Sequence, residues 1–152
     1  MIRCAQPDEM DTVRELFREY AAWVGSPICF ESFTREMAEL PGRYEPLLLA
    51  FESGRLAGCA ALREIGDGIG EMKRLYVRPA FQGSGLGRAL VERVIAEAKS
   101  AGYQALRLDT LSMMDRAIAL YRSLGFHEIP PYGDNPPEAI CFELKLQSQL
   151  FF

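Results

Sequence analysis

The sequence predicts an α/β protein in which helices cover both faces of a mixed, largely antiparallel sheet. Its 152 residues, 49% hydrophobic and 25% charged, are enough for one buried core and hardly for two. Hydrophobic periodicity gives the element order β-α-α-β-β-β-α-β-α-β-β. Turns of hairpin length favour antiparallel pairing of the early strands, and a later β-α-β crossover favours one parallel pair. We therefore expect residues 1–152 to form a single domain.

The first quarter of the chain predicts a short strand and two helices. Residues 2–5 can form the strand, and Pro7 then offers helix-start chemistry. The apolar residues that follow have helical spacing: Met10, Val13, Leu16, Phe17, Tyr20 and Ala21. This helix should end near residues 25–27, and a weaker helix over residues 30–40 should stop at Pro41.

Three strands should follow. Residues 47–51 and 56–65 are apolar runs separated by a turn sequence of hairpin length, which predicts two antiparallel strands. Residues 71–77 alternate strictly, which puts four side chains on one face of the next strand: Glu71, Lys73, Leu75 and Val77. A β-bulge between them would reverse that parity.

The second half of the chain predicts two helices and three strands. The first helix is strongly amphipathic, ends at Gly102, and has these apolar positions: Leu86, Leu90, Val91, Val94, Ile95 and Ala98. The second is short, closes at Gly125, and has one apolar face: Ala117, Leu120, Tyr121 and Leu124. The predicted strands cover residues 105–110, 126–129 and 139–146.

Charge and composition exclude several classes of function. A net charge of −4 disfavours a nucleic-acid or anionic-membrane surface as the main interaction. Four cysteines without a C-x-x-C pair and a single histidine indicate neither a metal site nor a disulfide framework. The sequence has no apolar run of the roughly 20 residues that a membrane span needs, and no signal-type N-terminus, so we expect a cytoplasmic protein.

A glycine-rich segment between a predicted strand and a predicted helix carries the clearest chemical signal. It reads Gln82-Gly83-Ser84-Gly85-Leu86-Gly87-Arg88. Consecutive N–H groups and the positive end of a helix favour a phosphate at such a place. The dinucleotide pattern and the nucleotide-triphosphate loop pattern both fail here. The alternative is a turn with helix-capping glycines.

Two motifs at a consistent separation give residues 71–126 a resemblance to a known family. The glycine-rich segment is followed by a strand and then by the pattern Ala117-x-x-Leu120-Tyr121-x-x-x-Gly125-Phe126. Together they resemble the GCN5-related N-acetyltransferase (GNAT) superfamily, and the rest of the chain agrees in its order of elements. The resemblance implies a sheet splayed open between the strands at residues 71–77 and 105–110, with acetyl-CoA in the gap.

The resemblance also implies which residues bind the cofactor. Backbone N–H groups of one segment would hold the CoA pyrophosphate: Gln82, Gly83, Ser84, Gly85, Leu86, Gly87 and Arg88. Backbone groups of Leu75 and Val77 would pair with the pantetheine arm. Tyr121 matches the tyrosine that protonates the departing thiolate, although it could also be a core residue with a satisfied hydroxyl. Met114 stands where the family commonly has asparagine, so that contact is not assigned.

Two carboxylates are candidates for the general base that an amine acceptor requires, since a protonated amine cannot attack. Glu71 starts the central strand, where several relatives have such a glutamate, and its longer side chain favours it. Asp109, near the end of the adjoining strand, is the rival. The alternative for Glu71 is an ordinary strand residue, exposed to water or paired with Lys73.

The acceptor side of the site is less well marked. Three residues lie on the proline-stiffened loop at 130–137, which in the family approaches the acceptor: Tyr132, Asp134 and Asn135. Three aromatic residues of the first two helices could wall the acceptor pocket, with core packing as the alternative: Trp23, Phe30 and Phe33. The apolar end of the tail at 147–152 could be buried in a homodimer contact.

We therefore expect an N-acetyltransferase that moves the acetyl group of acetyl-CoA to a primary amine of a small molecule or an amino acid. Direct attack in a ternary complex is expected, because no cysteine or serine stands in a nucleophile context. The alternative is a CoA-binding regulatory module with little or no turnover.

Overall fold

A seven-stranded sheet forms the centre of the protein in the computed structural model, which describes residues 1–25, 30–133, 135 and 137–146. The strands are β1 Ile2–Cys4, β2 Leu47–Glu52, β3 Arg55–Gly66, β4 Ile69–Val77, β5 Ala105–Leu111, β6 His127–Ile129 and β7 Ala139–Lys145. The helices are α1 Met10–Val24, α2 Phe30–Glu39, α3 Leu86–Ser100 and α4 Asp115–Ser123. This is the predicted element order, and β4 begins two residues earlier than the alternation indicated.

The strands lie in the order β1-β2-β3-β4-β5-β7-β6. Five of the six neighbouring pairs are antiparallel, and β4 with β5 is the parallel pair. The predicted mixed, largely antiparallel sheet is therefore confirmed, and α3 is the crossover that a parallel pair requires.

Helices cover both faces of this sheet, as the sequence predicts. On one face α3 and α4 close a core whose largest buried side chains include Leu90, Leu106 and Phe142. On the other face α1 and α2 close a second core that includes Leu16, Phe17 and Met37. Burying an apolar stripe of each helix against the sheet supplies most of the driving force for this arrangement.

A β-bulge in β4 overturns the predicted parity of that strand. Between two successive pairs of this ladder β3 has one residue, Ala60, whereas β4 has two, Arg74 and Leu75, and Arg74 takes the left-handed conformation with φ 60°. Leu75 therefore lies on the α3–α4 face together with Met72, while Tyr76 lies on the α1–α2 face. Glu71 does not share a face with Leu75 and Val77, because the extra residue shifts every later side chain to the opposite side.

The sheet opens between β4 and β5, as the resemblance implies. The two strands pair over just three positions, Ile69–Glu71 with Ala105–Arg107, and diverge beyond them. The bulge increases the local twist of β4 at the point where the pairing stops. The edge of β4 after Glu71 is thus available to a ligand.

Several expectations concern parts outside the described residues. They include the dimer contact of the tail at 147–152, Asp134 and the side chain of Phe30. In the described ranges no helix is long and apolar enough to cross a membrane. The same ranges contain no group of three histidine, cysteine or acidic side chains arranged to hold a metal ion.

Candidate active site

A cavity of about 240 Å³ lies at the opening between β4 and β5. One end reaches the glycine-rich segment at Gln82 and Gly83, and Tyr121 and Asp109 also line it. Leu75, Val77 and Gly87, which the resemblance assigns to the cofactor, are part of the same wall. The structure thus brings both sequence motifs and one of the two candidate bases to a single cavity.

The glycine-rich segment takes its shape from a short turn after β4. A 3₁₀ helix, Pro79–Phe81, redirects the chain, and the Ser84 hydroxyl donates a 2.7 Å hydrogen bond to the Phe81 carbonyl. Gly85 precedes α3 with φ 87°, a conformation that side chains disfavour. The N–H groups in the first turn of an α-helix lack partners within that helix, so this turn can bind an anion.

The side chains of this segment also fix its place against β4. The Gln82 side-chain amide donates a 3.0 Å hydrogen bond to the Val77 carbonyl. Arg88 instead points to the surface, where it contacts Ser123 and Glu92. Four residues of the segment do not line the cavity: Ser84, Gly85, Leu86 and Arg88.

Tyr121 lies in α4 with its ring against Phe126 and Phe142, and 5% of the residue is exposed. Burial, with smaller effects of Tyr20 and Asp109, raises the pKa of Tyr121 well above its ordinary value. The phenol therefore stays protonated at neutral pH. It lines the cavity, so its packing role and a chemical role are compatible.

Glu71 is buried, with 2% of the residue exposed, and both of its carboxylate oxygens have partners. Arg63 donates to Oε1 from Nε at 3.0 Å and lies 2.8 Å away through Nη2. The Tyr132 hydroxyl donates to Oε2 at 2.6 Å. Among the described residues, Glu71 is not part of the cavity wall. Its partner is Arg63 and not the Lys73 that the sequence suggested.

Asp109 faces the cavity from β5, and its two oxygens also have different partners. Lys73 Nζ lies 3.2 Å from Oδ1, and Asn135 Nδ2 donates to Oδ2 at 3.1 Å. The side chains of Asp109 and Lys73 keep exposed fractions of 16% and 18%. Asp109 is thus held in place and still reachable from the cavity.

The loop between β6 and β7 brings Tyr132 and Asn135 to these two carboxylates. Asn135 Oδ1 accepts hydrogen bonds from the Tyr132 backbone N–H at 3.0 Å and from the Cys141 thiol at 3.4 Å. Burial, followed by the neighbouring Glu71 carboxylate, raises the pKa of the Tyr132 phenol. The loop is therefore fixed to β4 through Tyr132 and to β5 through Asn135.

The structure also identifies site residues that the sequence did not single out. Tyr20 and Tyr76 line the cavity beside Trp23, and Arg63 holds Glu71. In the sequence Tyr20 lies on the apolar face of α1, so the spacing alone does not distinguish it from a core residue. Phe33, the other aromatic residue expected at the acceptor pocket, packs against the α1–α2 core.

Comparisons with known proteins find relatives among acetyltransferases. Residues 10–126 match the model of the acetyltransferase (GNAT) family. An uncharacterized N-acetyltransferase of Schizosaccharomyces pombe is 35% identical over 92% of this chain and 90% of its own length. A protein of Azospirillum brasilense named IAA acetyltransferase is 35% identical over 86% of each chain. A structure from Salmonella typhimurium that holds its cofactor acetyl-CoA is 25% identical, with a TM-score of 0.74 over 98% of this chain and 95% of that one.

Proposed function

Because the chain belongs to the acetyltransferase (GNAT) family, we propose that it transfers the acetyl group of acetyl-CoA to the primary amine of a small molecule or an amino acid. The observation that supports this most directly is one cavity that joins the glycine-rich segment to Tyr121 and Asp109. Acetyl-CoA supplies the thioester that the amine attacks. Direct attack in a ternary complex fits a cavity open to both partners.

In this proposal the donor binds on the α3–α4 side of the sheet. The backbone of Gln82–Arg88 and the first turn of α3 bind the pyrophosphate through N–H groups. The edge of β4 at Leu75 and Val77 pairs with the pantetheine arm, since β5 no longer pairs with β4 there. The Val77 carbonyl already accepts the Gln82 amide, so Gln82 has to share or release that carbonyl.

The reaction needs a group that removes a proton from the acceptor amine. The sequence favoured Glu71, and the geometry favours Asp109, which faces the cavity while Glu71 is buried behind Arg63 and Tyr132. We assign the general base to Asp109, directly or through one water molecule. Asp109 takes one proton from the ammonium group and passes it to solvent, so that the neutral amine can attack. As the nitrogen–carbon bond forms and the carbon–sulfur bond breaks, the nitrogen loses a second proton to Asp109, and solvent replaces the proton that Tyr121 gives to the thiolate.

Tyr121 supplies the proton that the departing thiolate needs. Its raised pKa makes it a weaker acid than an ordinary tyrosine. The same desolvation also raises the pKa of a thiolate released in this cavity, because burial penalises both anions. The difference between the two pKa values is therefore smaller than the shift of Tyr121 alone would make it.

Amine-dependent release of CoA thiol tests this function. The purified protein is incubated with acetyl-CoA and a panel of primary amines, and mass spectrometry follows the acetylated product. We expect thiol and N-acetyl product in equal amounts, and a loss of both in Tyr121→Phe. Tight CoA binding without amine-dependent thiol release would instead indicate a CoA-binding regulatory module. Met114 in the cavity wall favours this alternative, because it lacks the polar group of the asparagine that the family commonly has there.

A further inference from the structure

We propose that three aromatic rings, Tyr20, Trp23 and Tyr76, form the acceptor site and select a primary amine carried on an uncharged aromatic body. These three residues are called the aromatic wall below. The inference rests on the proposed acetyl transfer and names its acceptor class. All three residues line the same cavity as Asp109 and Tyr121.

The rings of the aromatic wall contact one another without closing the space in front of them. The Trp23 and Tyr76 centroids are 5.7 Å apart, and Tyr20 meets Tyr76 edge-on at 6.4 Å. Trp23 lies in the last turn of α1 and is 48% exposed. A ligand ring can therefore gain a contact with an indole that is half in water.

One ring of the aromatic wall, Tyr76, is held by an ion pair next to it. Glu19 in α1 forms a bidentate pair with Arg78, with hydrogen bonds of 2.8 and 3.0 Å. The Tyr76 hydroxyl donates to the same Glu19 carboxylate at 3.3 Å. Because Tyr76 is restrained before binding, it loses little conformational entropy when a ligand ring packs against it.

The position of the wall suits an acceptor and not the donor. Tyr76 lies on the α1–α2 face of the sheet, whereas the glycine-rich segment opens α3 on the other face. The two partners can then reach the opening between β4 and β5 from opposite sides. Asp109 lies in the same cavity, where the amine would have to lose its proton.

The charges around the wall argue against an acceptor that carries a carboxylate. The Arg74 guanidinium lies 5.7 Å from the Tyr20 ring centre and is paired with both oxygens of Glu36. Lys73 is paired with Asp109. A third cation of the cavity wall, Arg116, lies on α4 and so on the donor side. An acceptor carboxylate at the wall would have to compete with these pairs.

Steady-state kinetics with three acceptors test the selection. We expect kcat/KM to be highest for 2-phenylethylamine, lower for hexylamine and lowest for phenylalanine. Trp23→Ala should lower kcat/KM for 2-phenylethylamine about tenfold, mainly through KM, and change hexylamine less than about twofold. Met113→Ala is the matched control. Met113 is also a large apolar residue with high exposure, 67%, but it does not line the cavity.

Fluorescence gives a readout that does not depend on turnover. Trp23 is the single tryptophan of the sequence, so its emission reports the wall directly. When 2-phenylethylamine is added to the CoA-saturated protein, the Trp23 emission should change and reach a plateau. Hexylamine should need a higher concentration to reach its plateau. Equal losses for all acceptors in Trp23→Ala, or a preference for phenylalanine, would overturn the aromatic selection and leave acetyl transfer intact. Absence of thiol release with every amine would overturn the proposed function itself.

Discussion

The Tyr132 hydroxyl donates a 2.6 Å hydrogen bond to Oε2 of Glu71 and so joins the β6–β7 loop to β4. The Arg107 guanidinium covers the Tyr132 ring at 5.2 Å and helps to hold it. Glu71 is engaged in this contact and in the pair with Arg63, whereas Asp109 is paired with Lys73 and faces the cavity. The two carboxylates therefore have different surroundings.

Tyr132→Phe should loosen the loop and leave the chemistry in place. Loss of a buried hydrogen bond to a charged group should lower the free energy of unfolding by about 1.5–3 kcal/mol. The acceptor KM should rise several-fold while the pH profile of kcat keeps its shape. Denaturant unfolding and steady-state kinetics measure both effects. Tyr103→Phe is the control, because Tyr103 precedes the start of β5, whereas the loop adjoins the Leu111–Ala139 end of the β5–β7 pair. An unchanged acceptor KM in Tyr132→Phe would contradict the anchoring role.

Asp109→Asn should depress turnover near neutral pH and partly recover at high pH. At high pH more of the acceptor is already neutral, so a base is needed less. Glu71→Gln should weaken acceptor binding and stability without this alkaline recovery. The measurement is the pH profile of kcat/KM for both variants with one accepted amine. The opposite ranking would return the base to Glu71.

Tyr121→Phe should lower turnover by roughly 10²- to 10⁴-fold, the usual worth of one acid–base group, with little change in CoA affinity. Because burial raises the pKa of Tyr121, the active protonated form persists through neutral pH and is lost as pH rises through this elevated value. Wild-type kcat should therefore show no loss that is due to Tyr121 at or below the ordinary tyrosine pKa of about 10. An alkaline loss near pH 8 that disappears in Tyr121→Phe would contradict this assignment.

Gly85→Val should weaken acetyl-CoA binding, as calorimetry can measure. A Cβ at Gly85 meets open space, so the cost comes from the left-handed backbone and from blocked approach of the pyrophosphate. Gly102→Val is a matched control, because Gly102 has a similar φ of 82° and also meets open space, at the other end of α3. Both variants should lose stability, and Gly85→Val alone should lose CoA affinity. Equal acetyl-CoA affinities of the two variants would contradict the placement of the pyrophosphate on this segment.

The order of elements and the two motifs could be read from the sequence because they depend on local rules. Apolar spacing places Leu90 and Val94 on one helix face whatever the partner is, and Pro79 and Gly102 end their elements through their own backbone restrictions. The segment at 82–88 and Tyr121 can be recognised in the sequence because each belongs to a motif of fixed spacing, and their roles stay predictions that the family resemblance implies.

The tertiary structure alone decided the parity of β4, the surroundings of the two carboxylates and the position of Tyr20 in the cavity wall. The bulge at Arg74 arises from pairing with β3, which periodicity in one strand cannot reveal. Glu71 and Asp109 differ because Arg63, Tyr132 and Asn135 reach them from distant parts of the chain. Such contacts follow from packing, because a side chain's partner is set by three-dimensional closeness and not by sequence separation.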